Sequence, residues 1–77
     1  MTYAIVWAPV ALWTFYRLPM HSATVVDRAL IRFGATGEGH LEWVAPYHRL
    51  RAGVYAVALH IDRAEGTINV LSIYRPR

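Results

Sequence analysis

The segment from residue 47 to residue 75, YHRLRAGVYAVALHIDRAEGTINVLSIYR, restricts the fold more than any other part of the chain. Its apolar, β-branched and aromatic runs are interrupted by turn residues at 52–53 and 63–66, a pattern typical of strands joined by tight turns. Sequential hairpins make an antiparallel meander. With the residues just before it, the segment predicts three strands, near residues 41–51, 53–62 and 67–75.

The start of this segment predicts a row of charge on one side of the sheet. Successive side chains of a strand point to opposite faces. Tyr47, Arg49 and Arg51 are therefore expected on one face. His48 and Leu50 are expected on the other. One face of the sheet should thus present guanidinium groups beside a phenol.

The amino-terminal half predicts a buried strand over residues 2–7 and a helix that starts at Pro9. Proline suits the first helical position because its missing N–H would have no partner there. The apolar residues of this helix surround more than one stripe, so we expect it to be covered on two sides. These residues are Leu12, Trp13, Phe15, Tyr16 and Leu18.

A second helix is expected from Ser22, as its amino-terminal cap, to about Phe33, with Gly34 ending it. Val26, Leu30 and Phe33 share one stripe at helical spacing and should face the core. Residues 35–39 predict a loop. Two helices packed on one face of an antiparallel sheet leave the other face as an open groove.

The composition indicates one small basic domain, residues 1–77, with an interaction surface. A core of this size supplies only about 3–5 kcal/mol. Hydrophobic residues make up 56% of the chain, which favours a partner that covers apolar surface. The net charge of +3 comes from eight arginines without lysine. Arginine binds phosphate through a planar, two-pronged guanidinium group, so this composition is compatible with nucleic-acid binding. A gene that favours arginine codons is the alternative explanation for the lack of lysine.

Several classes of site are disfavoured by the sequence. The chain has no cysteine, which excludes disulfides and cysteine-rich zinc sites and fits a reducing compartment. Pro9 interrupts the first apolar run and Arg17 ends it, well short of the roughly 20 residues of a membrane helix. The histidine and carboxylate spacings suggest no metal site. We therefore expect no metal, no cofactor and no membrane segment.

Order and spacing along the chain resemble a known family. LRAGVY at 50–55, ID at 61–62 and EGTINVL at 65–71 follow a pattern that the family shows as LRxGxYRvxYxID…GxVxVLxVxHR. YAIVWAP at 3–9 and RLP at 17–19 match its first strand and the opening of its helical hairpin. The chain thus resembles the RelE/ParE toxins of bacterial type II toxin–antitoxin systems.

The resemblance implies an α+β fold of order β-α-α-β-β-β, in which a helical hairpin packs on a small twisted, antiparallel-rich sheet. RelE-like members cut messenger RNA in the ribosomal A site, where a 2′-OH attacks the adjacent phosphate. It therefore implies a ribosome-dependent mRNA endonuclease that inhibits translation. Its implied partners are a cognate antitoxin, the ribosome and mRNA, and its implied location is the cytoplasm.

Site residues carried over from the family fall in the carboxy-terminal sheet. Arginines would stabilise charge on the phosphate, and Tyr74 or a histidine would move protons. Tyr47 could also stack on a base, and Arg51 has an alternative role in bracing a turn. The catalytic candidates are Arg49, Arg51, Tyr74, Arg75 and Arg77, and the RNA-binding candidates are Tyr47, Arg49 and Arg51.

The chain also departs from the family pattern. Ala56 stands where the third strand usually carries an arginine, and loss of such a group costs roughly 10²–10³ in rate by analogy with an oxyanion donor. After Tyr74, the tail Arg75-Pro76-Arg77 lacks the family's final tyrosine. Two alternatives therefore stay open: a ParE-like, non-enzymatic inhibitor of DNA gyrase, and a degenerate toxin that keeps only antitoxin binding.

Overall fold

The structure is a computed structural model that describes residues 2–77. It contains two helices and a five-stranded sheet in which the strand order is β1-β5-β4-β3-β2. β1 runs parallel to β5, and the other neighbouring strands are antiparallel. The elements are β1 (Ala4–Trp7), α1 (Pro9–Arg17), α2 (Met20–Thr36), β2 (Leu41–Val44), β3 (Tyr47–Ala52), β4 (Tyr55–Asp62) and β5 (Thr67–Tyr74).

The predicted α+β architecture is confirmed, with one more strand than expected. The segment 41–51, predicted as a single strand, is a hairpin whose two strands meet at a turn over Ala45 and Pro46. Proline has no N–H to donate to a strand ladder, so it favours a turn at this point. The hairpin pairs Val44 with Tyr47 and Glu42 with Arg49.

The first helix is less covered than the sequence predicts. Trp13 is 65% exposed and Tyr16 is 76% exposed, so the expectation of cover on two sides is wrong. The buried side is formed by Ala11 and by Phe15, whose ring lies 4.9 Å from that of Trp7. α1 therefore presents an apolar, aromatic stripe to solvent because only one layer, the sheet, packs against it.

The second helix differs from the prediction at both ends. It begins at Met20, directly after Pro19, and it continues through Gly34 to Thr36. The predicted end at Gly34 is wrong because Gly37, with a φ of 77°, adopts the left-handed conformation that ends a helix. The N–H of Gly37 donates to the carbonyl oxygen of Phe33 at 2.8 Å.

Gly34 serves instead as the point where α2 meets β1. A β-carbon at this position would lie 3.2 Å from both Ile5 Cδ1 and the carbonyl oxygen of Tyr3. The N–H of Tyr3 donates to the Gly34 carbonyl at 2.8 Å. The missing side chain thus lets the first strand approach the helix, an effect that local sequence pattern does not reveal.

The core lies between the two helices and one face of the sheet. The predicted stripe of Val26, Leu30 and Phe33 is buried, which confirms that part of the helix pattern. The opposite face of the sheet carries no helix within residues 2–77 and remains open. None of the helices in this range is both long and apolar enough to cross a membrane. The largest fully buried side chains are those of Leu30, Leu50, Leu59, Ile68, Val26, Val57 and Val70.

Candidate functional site

The open face of the sheet brings together most of the predicted site residues. In β3, Leu50 is buried against the helices while Arg51 is exposed and Arg49 half-buried, as the two-residue alternation predicts. Residues opposite one another on neighbouring strands share a face. Arg51 lies opposite Ala56, which in turn lies opposite Tyr74. β3 and β5, with β4 between them, therefore place Arg49, Arg51 and Tyr74 on one surface.

Arg49 is the most constrained of these residues. Its Nη2 donates to both carboxylate oxygens of Glu42, each at 3.1 Å. The side chains are 24% exposed for Arg49 and 41% exposed for Glu42. Arg49 Nε is buried and has no hydrogen-bond partner among the described residues. The guanidinium group is thus held from one side by a carboxylate and leaves a donor unused.

Two neighbours raise the pKa of Arg49. The Tyr74 side chain contributes most to this rise and Glu42 contributes next, while partial burial opposes them. The contacts that meet hydrogen-bond geometry are those to Glu42. We therefore regard the carboxylate as the group that orients the guanidinium, with the Tyr74 hydroxyl as a polar neighbour. Arg49 is therefore cationic at neutral pH.

The centre of the open face lacks the third-strand arginine that the family pattern implies. Ala56 and Ala58 point to this face and are 0% and 1% exposed. Ala58 lies opposite Arg49 and Ala56 opposite Arg51, so the arginine side chains border small methyl groups. Methyl groups neither donate nor accept protons. The cations available at this point are therefore those supplied by β3.

The terminal arginines are placed differently from the β3 arginines. Arg75 and Arg77 follow the last residue of β5, and both are exposed. They are therefore not positioned by the strand pairing that fixes Tyr74 opposite Ala56. The structure brings Tyr47, Arg49, Arg51 and Tyr74 onto one face of the sheet. The two terminal arginines lie beyond the carboxyl end of β5.

Glu42 is the residue that sequence reasoning missed. Its position opposite Arg49 depends on the hairpin turn at Pro46, because an uninterrupted strand over 41–51 would not pair with itself. The sequence signal was the proline inside an otherwise strand-like segment. A carboxylate beside the guanidinium can accept a proton or compete with phosphate, so it changes the chemistry expected of this face.

Histidines occupy both faces of the sheet. His60 is exposed on the open face, opposite Asn69. His48 lies on the helix-facing side and contacts Trp43, with ring centroids 4.9 Å apart. Of these two, His60 is the one on the same face as the arginines. Within residues 2–77, no group of three or more histidine or carboxylate side chains is placed to hold a metal ion.

Comparisons with known proteins identify the fold. No protein-family model and no curated protein sequence matches the chain. Solved structures do match over nearly its full length. A chain of the RelBE2 toxin–antitoxin complex from Mycobacterium tuberculosis has a TM-score of 0.77 at 18% identity, covering 99% of this chain and 100% of that chain. The protein has the RelE fold.

Two further solved structures agree with this assignment of the RelE fold. A chain of the archaeal RelE–RelB complex from Pyrococcus horikoshii has a TM-score of 0.78 at 14% identity and covers 97% of this chain and 96% of that chain. A chain of the intact RelBE toxin–antitoxin complex of E. coli has a TM-score of 0.75 at 14% identity, with 99% of each chain covered. The shared property at these identities is the backbone architecture, and the side chains of the open face are this protein's own.

Proposed function

We propose that this protein is the toxin of a type II toxin–antitoxin pair and that it acts in the cytoplasm as a ribosome-dependent mRNA endonuclease. The observation that carries the proposal is the row of Arg49, Arg51 and Tyr74 on the helix-free face of a RelE fold. The arginines of such a face can bind a phosphate, and the phenol can donate or accept a proton during the reaction. Neither a metal nor a cofactor is needed for this chemistry.

The proposed reaction is attack of a ribose 2′-OH on the adjacent phosphate, with departure of the 5′-oxygen of the next nucleotide. Arg49 and Arg51 stabilise negative charge that develops on the phosphate. Arg75 and Arg77 extend the cationic surface beyond β5 and approach the same strand of RNA. Tyr74 lies beside Arg49, and a proton passes between its hydroxyl and a reacting oxygen. Tyr47 supplies an aromatic surface next to these groups.

The proposed partner is an antitoxin that covers the apolar surface and neutralises the charge of the toxin. Trp13, Tyr16 and Met20 are 65%, 76% and 86% exposed, and they are the most exposed large hydrophobic residues of the two helices. The chain carries a net charge of +3, so an acidic polypeptide with apolar anchors complements it. The matched chains of known structure come from toxin–antitoxin complexes.

The decisive experiment is induction of this gene with and without the neighbouring small open reading frame, while translation and DNA supercoiling are followed separately. We expect translation to stop, messages to be truncated on ribosomes, and co-expression of the small partner to restore growth. An Arg49→Ala variant should lose the cleavage, whereas Arg32→Ala, which removes an arginine paired with Glu38 on the helical layer, should retain it. Normal message cleavage by Arg49→Ala would contradict the assignment.

A second candidate function is non-enzymatic inhibition of DNA gyrase. It is favoured by the two buried alanines, Ala56 and Ala58, in the middle of the open face. It is also favoured by the salt bridge that Arg49 forms with Glu42. Blocked supercoiling with intact messages would support this function over RNA cleavage. Normal growth at high expression would instead indicate a toxin that retains the fold and antitoxin binding alone.

A further inference from the structure

We propose that a depression beside Arg49 is a subsite for a single unstacked nucleobase, read by Asn69 and His60 and stacked on Tyr47. The inference rests on the proposed RNA substrate, and it assigns base selection to residues that have no role in stabilising the phosphate. The depression has a volume of about 500 Å³ and lies on the open face, next to the arginine row. This volume is within the range of pockets that hold small ligands, roughly 300–1,000 Å³.

The depression is built from a row of residues that runs across the sheet. His60 of β4 lies opposite Asn69 of β5, and Asn69 lies opposite Val6 of β1. Extending the β3–β4 register by one residue places Tyr47 opposite His60. Leu71 also lines the depression. The remaining lining residues are apolar, and the polar groups project from the neighbouring strands β3, β4 and β5 rather than from a loop.

The lining suits a neutral heterocycle and not a phosphate. Within the described part of the chain, no arginine, aspartate or glutamate lines this depression. The charged residues of this face begin at Arg49, two positions after Tyr47 in β3. A phenol ring, an imidazole and a carboxamide are the side chains by which single-stranded bases are stacked and hydrogen-bonded along their edges. The division of charge between the two regions thus matches the division of a nucleotide into base and phosphate.

Asn69 has hydrogen-bonding capacity to spare. Its Nδ2 lies 3.4 Å from the His60 carbonyl oxygen and 3.5 Å from Thr67 Oγ1, both at the long limit of hydrogen bonding. A base edge that offers a donor and an acceptor would exchange these weak contacts for shorter ones. Asparagine forms such paired contacts with adenine. The carboxamide is therefore the group that we expect to discriminate between bases.

The spacing to the arginine row fits one nucleotide. Tyr47 and Arg49 are two residues apart on the same face of β3, so their α-carbons are separated by roughly 6.6 Å. A base on Tyr47 would place its own or the next phosphate within reach of the Arg49 side chain. Base stacking and phosphate binding can thus be satisfied by a single residue of RNA.

The test compares two fluorescein-labelled RNA hexamers that differ only in whether one central ribose carries a base. Wild-type protein should bind the intact hexamer at least about fivefold more tightly than the abasic one, as expected for one stacked base. Tyr47→Ala should remove this difference. The matched control is Tyr16→Ala, which removes an exposed tyrosine of α1 and should leave the difference intact. Asn69→Ala should change the ranking of hexamers that carry different central bases and leave abasic binding unaltered.

The outcomes separate the subsite from the proposed function. If wild type binds both hexamers equally and Arg49→Ala weakens both, phosphate binding stands and the base subsite is wrong. If Tyr47→Ala and Tyr16→Ala reduce the preference equally, the depression does not hold the base. If wild-type protein binds neither hexamer and leaves messages intact on ribosomes, the RNA substrate fails and this inference fails with it.

Discussion

Replacement of Glu42 by glutamine should strengthen binding of single-stranded RNA. In the free protein the Glu42 carboxylate occupies the position of an anion, with both oxygens 3.1 Å from Arg49 Nη2. A phosphate that approaches Arg49 must therefore displace this carboxylate or share the guanidinium with it. Glutamine keeps the shape and an acceptor oxygen but removes the negative charge. The pKa of Arg49 is raised by its neighbours, so the arginine remains charged at neutral pH in both proteins.

The size of the effect follows from counterion release. Each phosphate contact on a single strand contributes about −0.7 to the slope of log affinity against log salt concentration. The β3 arginines, Arg49 and Arg51, would together give a slope of about −1.4 if both acted at full charge. Freeing Arg49 should make the slope steeper by up to about 0.7. Over a fourfold range, from about 50 to about 200 mM salt, this equals a change of up to about 2.6-fold in relative affinity.

The assay is fluorescence anisotropy of a labelled RNA hexamer at several salt concentrations. Glu38→Gln is the matched control because Glu38 pairs with Arg32 at 2.9 Å, on the helical layer and away from the open face. It should reproduce the wild-type slope. Thermal unfolding of both variants checks that the fold is retained. If Glu42→Gln binds RNA no more tightly than wild type, or less tightly, then Glu42 positions Arg49 for its ligand and the competition argument is refuted.

Three further outcomes are expected. Arg51→Ala should make the slope of log RNA affinity against log salt concentration shallower by about 0.7, while Arg32→Ala should leave the slope unchanged. Equal changes in the two variants would show that binding follows net charge alone. Leu50→Ala removes a fully buried side chain and should lower the free energy of unfolding, measured in urea, by about 2.7–5.0 kcal/mol, which is most of what a domain of this size has. Gly39→Ala should destabilise more than Gly66→Ala: φ is positive at both sites, but only at Gly39 would the new β-carbon meet a neighbour, Leu50 Cδ1 at 2.9 Å. Equal melting temperatures for the two glycine variants would contradict that contact.

The sheet face was predictable because its determinant is local. Alternation along β3 decides that Arg49 and Arg51 lie opposite to Leu50, whatever the neighbouring strands do. The helical stripe of Val26 and Leu30 was predictable for the same reason, since it depends only on the period of the helix. These patterns set which side chains are buried and which face carries the charge.

The position of α2's end and the partner of Arg49 were not predictable in this way. Gly34 resembles a helix terminator in sequence, yet its role is to let β1 approach, and the contact with Tyr3 spans a long stretch of chain. Glu42 and Arg49 are seven residues apart and meet only because the chain turns at Pro46. Both features are set by pairing between separate segments.

The amino-acid order by itself thus determined the strand and helix periods, the basic row of β3 and the absence of a disulfide framework. Only the tertiary structure decided that the Glu42 carboxylate binds Arg49 and that Tyr74 lies beside this arginine. It also decided that Tyr47, His60 and Asn69 line one depression. The physical reason is that periodicity acts between neighbours in the chain. Charge pairing and pocket shape depend on strand register, which is fixed only when the whole sheet forms.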